Sequence, residues 1–314
     1  RLTGNADAAL IALATEAVRA RGPINLNVAV TGTARAPNVT GTAQLSGVQM
    51  AIPTPGIQVD DLDALLRLAG QRIEIERLST LVNGGTVTAD GGFAWAAGGL
   101  SNATISIEAK DVYLNYPQGL NTVSDASLRL RTRQNDLLLA GKVTVLDGIY
   151  REQLTLDRLL SLSRGRSAEA LEQPENPFLA RLRMNVEVES ESPVVVDNNL
   201  ARIQALANLR VTNTLARPGL TGRIDIEEGG ELYLAQRTYT VQRGIVQFTD
   251  ERRIQPSFDV QATTESANFE ITLALTGEAG RIEAQFTSQP PLSEPDIISL
   301  LLTGRTLQDI RGSE

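Results

Sequence analysis

The side chains best suited to chemistry in this sequence are carboxylates at strand spacing, Glu187, Glu189 and Glu191, and again Asp225, Glu227 and Glu228. Two carboxyl groups flanking a glycosidic bond can cleave it, one as acid and the other as base or nucleophile. These clusters therefore admit a carbohydrate-active enzyme on a β-helix as a remote reading. Residues two apart on a strand share a face, however, and a solvated outer face accounts for the acids without any reaction. The run GGTVTADGG over 84–92 resembles a calcium-binding turn, but the pattern is incomplete and a plain hairpin explains it. The chain contains neither His nor Cys, which excludes zinc sites built on imidazole or thiolate and nucleophiles activated by His. No catalytic residue, metal ligand or cofactor is assigned.

The elements carrying these acids are strands. From Leu209 to Phe248 apolar residues recur at every second position, in Leu220, Ile224 and Ile226, in Leu232 and Leu234, and in Val246 and Phe248. That period predicts a meander of short antiparallel strands with one dry face, turning at Pro218-Gly219, Glu228-Gly229-Gly230 and Arg243-Gly244. The unit repeats. Residues 28–41 laid on 209–222 agree at six of 14 positions, and VTGTAQLSG (39–47), LAGKVTVLDG (139–148) and LTGRIDIEEG (220–229) share an aliphatic, any residue, Gly, then alternating apolar positions. Repeated β units predict an elongated stack.

Along the chain, Leu10, Leu13, Ala14, Ala17 and Val18 predict a helix over Ala6–Arg19, stopped by Gly22-Pro23. Strands follow, with turns at Pro53-Thr54-Pro55-Gly56 and Asn83-Gly84-Gly85 and punctuation at Gly91-Gly92 and Gly98-Gly99. Val59–Leu68 is assigned to strand because its flanks alternate. The pattern lapses over Leu159–Glu175, a polar joint with Leu159–Glu172 as a further helical candidate. Asp296–Leu302, preceded by Pro and acids, predicts a short apolar helix. The expected division is 1–160, a joint at 161–178, and 179–314.

Net charge is −8 and the 29 basic residues are scattered, so no cationic stripe exists for nucleic acid. No apolar run reaches the roughly 18 residues of a bilayer span. The chain is expected to be a segment of a longer polypeptide. About twenty one-faced strands with at most three short helices must cover their dry face somehow. A sandwich or barrel, a β-helix, or an open sheet holding an apolar guest are all compatible with the periodicity.

The run from Val211 through Arg237, Gly244, Phe248 and Pro256, then Ser288-Gln289-Pro290-Pro291-Leu292-Ser293-Glu294 and Leu300-Leu301-Leu302-Thr303-Gly304-Arg305, resembles the C-terminal region of the TamB family, within the AsmA-like group. The resemblance covers residues 180–314 specifically and the earlier repeats more loosely. It implies an all-β fold, an elongated, curved, antiparallel-rich sheet forming a U-shaped hydrophobic groove, with two or three short helices. It also implies a periplasmic protein held in the inner membrane by a segment absent here, which moves phospholipid to the outer membrane and assists outer-membrane protein assembly beside the β-barrel TamA. An alternative is a chaperone that pairs its sheet edge with unfolded outer-membrane protein strands.

Combined with the alternation, the resemblance makes Val28, Val30, Ile73, Ile75, Val143, Val145, Met184, Val186, Val211, Ile224, Ile226, Leu232, Leu234, Val246, Phe248, Val260, Ile271 and Leu273 the candidate groove wall. Asp at Ile226 or Val186 is expected to leave the sheet folded yet block lipid, whereas Asp225→Arg on the wet face is expected to be silent.

Overall fold

The computed structural model describes residues 2–9, 18–33, 36–53, 56–96, 99–133, 136–153, 181–214, 217–234 and 236–307. Among them are nineteen strands and one helix. The chain divides into two compact units, one of Arg1–Gly148, Glu175–Glu191 and Val211–Arg217, the other of Ile149–Pro174, Ser192–Arg210 and Pro218–Glu314.

The first unit opens with β1 (Leu2–Asp7), β2 (Arg19–Arg21), β3 (Pro23–Thr33), β4 (Ala36–Ile52), β5 (Ile57–Gly70) and β6 (Arg72–Val82). It continues with β7 (Gly85–Ala96), β8 (Gly99–Asn115), β9 (Leu120–Arg133), β10 (Asp136–Tyr150) and β11 (Leu182–Ser190). β1 pairs with β3, and from β3 to β9 each strand pairs antiparallel with the next. The β6–β7 hairpin turns on Asn83 (φ 46°) and Gly84 (φ 88°), the left-handed pair that matches strand twist.

Ala6 and Asp7, expected to start a helix, lie instead in β1, where β3 offers an unpaired ladder to residues 2–7. Arg19, its expected end, lies in β2, while residues 10–17 of that expected helix, the polar joint at 161–178 and the candidate helix at 159–172 lie outside the described residues. β10 and β11 pair in parallel, Leu137 opposite Leu182 through Val145 opposite Ser190. Parallel neighbours need a crossover of a dozen or more residues, whereas antiparallel ones need only a hairpin.

Bulges keep the dry face dry. Between Ile75 and Leu78 the register slips, so both aliphatics face the same side while Glu76 and Arg77 intervene. The same device separates Ala109 from Val112. There the N–H of Asp111 (φ 56°) donates to Oδ1 of Asp125 at 2.8 Å.

The second unit holds β12 (Val194–Asp197), most of β13 (Ala201–Thr214) and of β14 (Arg217–Ile226), then β15 (Glu231–Leu234), β16 (Arg237–Asp250), β17 (Pro256–Ser266), β18 (Phe269–Glu278), β19 (Arg281–Gln289) and helix α1 (Glu294–Thr303). β14 and β15 both pair with β16, forming one lane broken at Glu227–Gly230. From β16 to β19 the pairing is antiparallel and sequential.

The expected turns at Pro218-Gly219 and Arg243-Gly244 and the expected punctuation at Gly91-Gly92 are corrected, since each lies inside a strand. These glycines make room rather than turns. A methyl on Gly219 would stand 1.9 Å from the Glu251 carbonyl oxygen, and one on Gly244 would stand 2.8 Å from Cδ1 of Ile226. The repeat has the same physical basis. Gly41, Gly141 and Gly222 all have positive φ, and a Cβ on each would lie 2.1, 2.1 and 2.2 Å from the carbonyl oxygens of Asn27, Ser127 and Asn208.

The helix is built as its sequence predicts. Glu294 and Asp296 occupy the positive first turn, and Gly304 (φ 75°) closes the C-terminus with its N–H on the Leu300 carbonyl at 3.0 Å. Ile297, Leu300 and Leu301 pack with Tyr239, Ala262, Ile271 and Leu273 as the core of this unit.

Candidate functional site

In the first unit the register passes one apolar face from strand to strand. Leu26 stands opposite Ala43, Ala43 opposite Leu66, Leu66 opposite Ile75, Ile75 opposite Gly91, Gly91 opposite Ile105, and Ile105 opposite Leu130. The neighbouring lane runs from Val28 through Gly41, Leu68 and Ile73 to Phe93. Val28, Val30, Ile73 and Ile75 therefore share this face. On β10 and β11 the pairs Leu139–Met184, Gly141–Val186 and Val143–Val188 place Val143, Val145, Met184 and Val186 on one face. The close approach of Gly141 to the backbone of Leu128 joins it to the lanes above.

Most of these side chains are half-buried by their strand neighbours. Val186 is 6% exposed and Val30 48%. Among the described residues the unit's elements are strands of this sheet, and its apolar side is packed most tightly at two places, around Ala8, Val48 and Leu62 and around Ala103, Leu137 and Leu182. Val211 lies in β13 and is half-buried.

The opposite face carries the charge. Lys142 and Glu189 meet at 2.6 Å, Arg183 and Asp136 at 2.7 Å, Arg72 and Glu74 at 3.1 Å, and Arg67 pairs with Glu76. Such exposed pairs contribute about 0–1 kcal/mol each, so they keep the face wet more than they hold the sheet. The hydrogen bond from Lys142 to Glu189 raises the ammonium above its usual range. Of the acids that suggested a reaction, Glu189 is thus ion-paired, and Asp225 pairs with Arg223.

In the second unit Ile226, Gly244, Val260, Leu275 and Ala284 form one lane, and Ile224, Val246 and Phe258 another. Phe248 stands opposite Gly222, on the same face. Nearer the helix, Leu232 opposes Tyr239, and Val241, Ala262, Leu273 and Phe286 make a further lane. α1 lies over this end. Ile271 and Leu273 are 0% and 1% exposed beneath it, Leu232 packs against the same cluster, and Leu234 stands exposed.

Arg237 was invisible as a functional residue in the alternation. It opposes Leu234 and so sits on the apolar side of the sheet, where its guanidinium donates to the carbonyls of Leu300, at 3.0 Å, and Leu301. A charged residue at the dry parity of Arg237, Tyr239 and Val241 was the available signal. Two open hollows also mark the described surface. One of about 570 Å³ beside Arg202 and Glu227–Glu231 is charged, and the other, of about 310 Å³, lies between Arg19–Arg21 and Gln58–Asp60.

A model of the TamB C-terminal domain matches residues 76–313. No curated protein matches the chain.

Proposed function

The chain belongs to the TamB family, and from that premise we propose that its apolar sheet faces hold phospholipid acyl chains. The protein would serve as part of a conduit between inner and outer membranes, with a linked role in outer-membrane protein assembly beside the barrel TamA. Its place is the periplasm, and its work is binding and transfer rather than catalysis. No described helix is long and apolar enough to cross a membrane.

The observation that carries this reading is the lane from Leu26 to Leu130, in which six strand-to-strand steps place only aliphatic side chains or Gly on one face. Drawing an acyl chain out of a bilayer forfeits about 0.8 kcal/mol per CH₂, or about 13 kcal/mol for a chain of roughly sixteen carbons. A face of this kind returns that energy by burying the chain. Without donors or acceptors it also fixes no single position, so the guest can slide.

Photo-crosslinking in cells carrying the full-length protein tests the reading. A reactive side chain at Ile75 or Val143 should capture phospholipid, and one at Glu74 on the wet face should not. Capture of polypeptide alone from Ile75 would contradict it. The strand-pairing alternative is favoured by β19, whose register is with β18 and whose residues Arg281–Gln285 are all exposed. It calls for outer-membrane protein captured from β19 and no lipid from the face.

A further inference from the structure

We propose that α1 is a built-in ligand mimic: it occupies a phospholipid subsite on the second unit, with Leu232, Tyr239, Ile271 and Leu273 as the acyl seat and Arg237 as the phosphate-binding group. The proposal rests on the reading of the apolar faces as acyl-binding and adds where a headgroup binds and what competes with it. The helix has the two chemical parts of such a lipid. Ile297, Leu300 and Leu301 lay an apolar body on the seat. The last-turn carbonyls of Leu300 and Leu301, at the negative end of the helix dipole, accept from Arg237 where phosphate oxygens would.

Three features fit an occupant that leaves. The seat is the end of a sheet face that continues beyond the helix through Val260 and Leu275. The helix is apolar on its outer side as well, with Ile298 42% and Leu302 69% exposed, so docking does not bury all of its apolar surface. Its last turn contains no basic residue. The cation that complements that turn is supplied from the sheet. When the helix lifts, Arg237 is left as a cation beside an apolar trough, a pairing suited to an anionic amphiphile and to neither a sugar nor a neutral oil.

The test uses the 314-residue chain with two probes that share pyrene-labelled acyl chains, phosphatidic acid and diacylglycerol. Ile297→Ser/Leu301→Ser weakens the helix's grip without touching the seat. It should gain one bound phosphatidic acid per chain over the parent, with about tenfold preference over diacylglycerol. Adding Arg237→Gln should remove that preference. On the unaltered chain, saturating phosphatidic acid should speed hydrogen exchange in residues 294–303, a readout that does not depend on the variants folding. No gain in stoichiometry with the fold intact, a gain indifferent to Arg237→Gln, or slower helix exchange with probe would each overturn the proposal. If probe still binds the parent chain in those cases, the acyl-binding reading stands; if no form binds either probe, that reading fails too.

Discussion

Arg237 donates to the carbonyl oxygen of Leu300 at 3.0 Å across 63 residues of sequence, joining the β15–β16 hairpin to the last turn of α1. The Leu300 carbonyl already accepts the capping Gly304 N–H, so the guanidinium from the sheet adds a second donor there and supplies one to the Leu301 carbonyl at the helix end. Arg237→Met should destabilise the second unit by about 1–3 kcal/mol, the range for losing hydrogen bonds to a charged group. Arg237→Lys should restore only part, because an ammonium lacks the planar fork. Thermal unfolding followed by circular dichroism checks both.

The repeat glycines should be far less replaceable than turn glycines. A methyl on Gly222 would stand 2.2 Å from the Asn208 carbonyl, at a φ of 114°, whereas one on Gly84 meets nothing within 4 Å. Gly84→Ala should therefore cost only left-handed strain, about 1–2 kcal/mol. Gly222→Ala should cost at least about 3 kcal/mol, since two backbones must part. Equal melting temperatures for the two variants would refute the close-approach account of the repeat.

These glycines also show what was legible in the sequence. The alternation around Ile224, Ile226, Val246 and Phe248 gave the strands and their dry face, and the three-residue echo marked positions that share one backbone geometry. What Gly was doing was not legible, because Gly219 and Gly244 look like turn residues when only local preference is considered. They prove to be contact points with groups distant in the chain, the Glu251 backbone and the Ile226 side chain. Bulges were hidden for the same reason. Nothing local in Glu76-Arg77 says that the register slips to keep Ile75 and Leu78 together. The helix expected from Ala6 failed at its start because an edge ladder on β3 outweighs a propensity worth only tenths of a kcal/mol per residue. α1 was legible because Pro, acids and an apolar run coincide with Gly304.

Alkaline pH should test how Tyr239 is held in the second unit. Burial pushes its phenol above the ordinary value of about 10, with nearby Arg237 opposing more weakly. Below that value the phenol is neutral in both folded and unfolded chains, and its contribution is fully present. As pH rises, the unfolded chain releases the proton first, so stability falls until the folded value is passed. Tyr239→Phe should thus lose less melting temperature between pH 8 and pH 11 than the parent chain. An identical loss would show that the phenol is not held neutral by its site.

A carboxylate on the dry face should act according to how open its position is. Val30→Asp and Ile226→Asp, at an exposed and a half-buried position, should leave the chain folded while repelling acyl chains. Val186→Asp, at a position 6% exposed, should also unfold its lane. Asp225→Arg, on the wet face beside Arg223, should change stability by no more than about 0.5 kcal/mol. Melting curves and lipid-binding assays on the four variants distinguish these outcomes.

Native mass spectrometry of the purified chain, released gently from detergent-free buffer, measures directly whether the apolar face has a guest. The account predicts mass increments equal to whole phospholipids on the parent chain and on Asp225→Arg, and their loss on Val30→Asp and Ile226→Asp. A parent chain that flies only as clean apoprotein, with added phospholipid failing to bind, would contradict it.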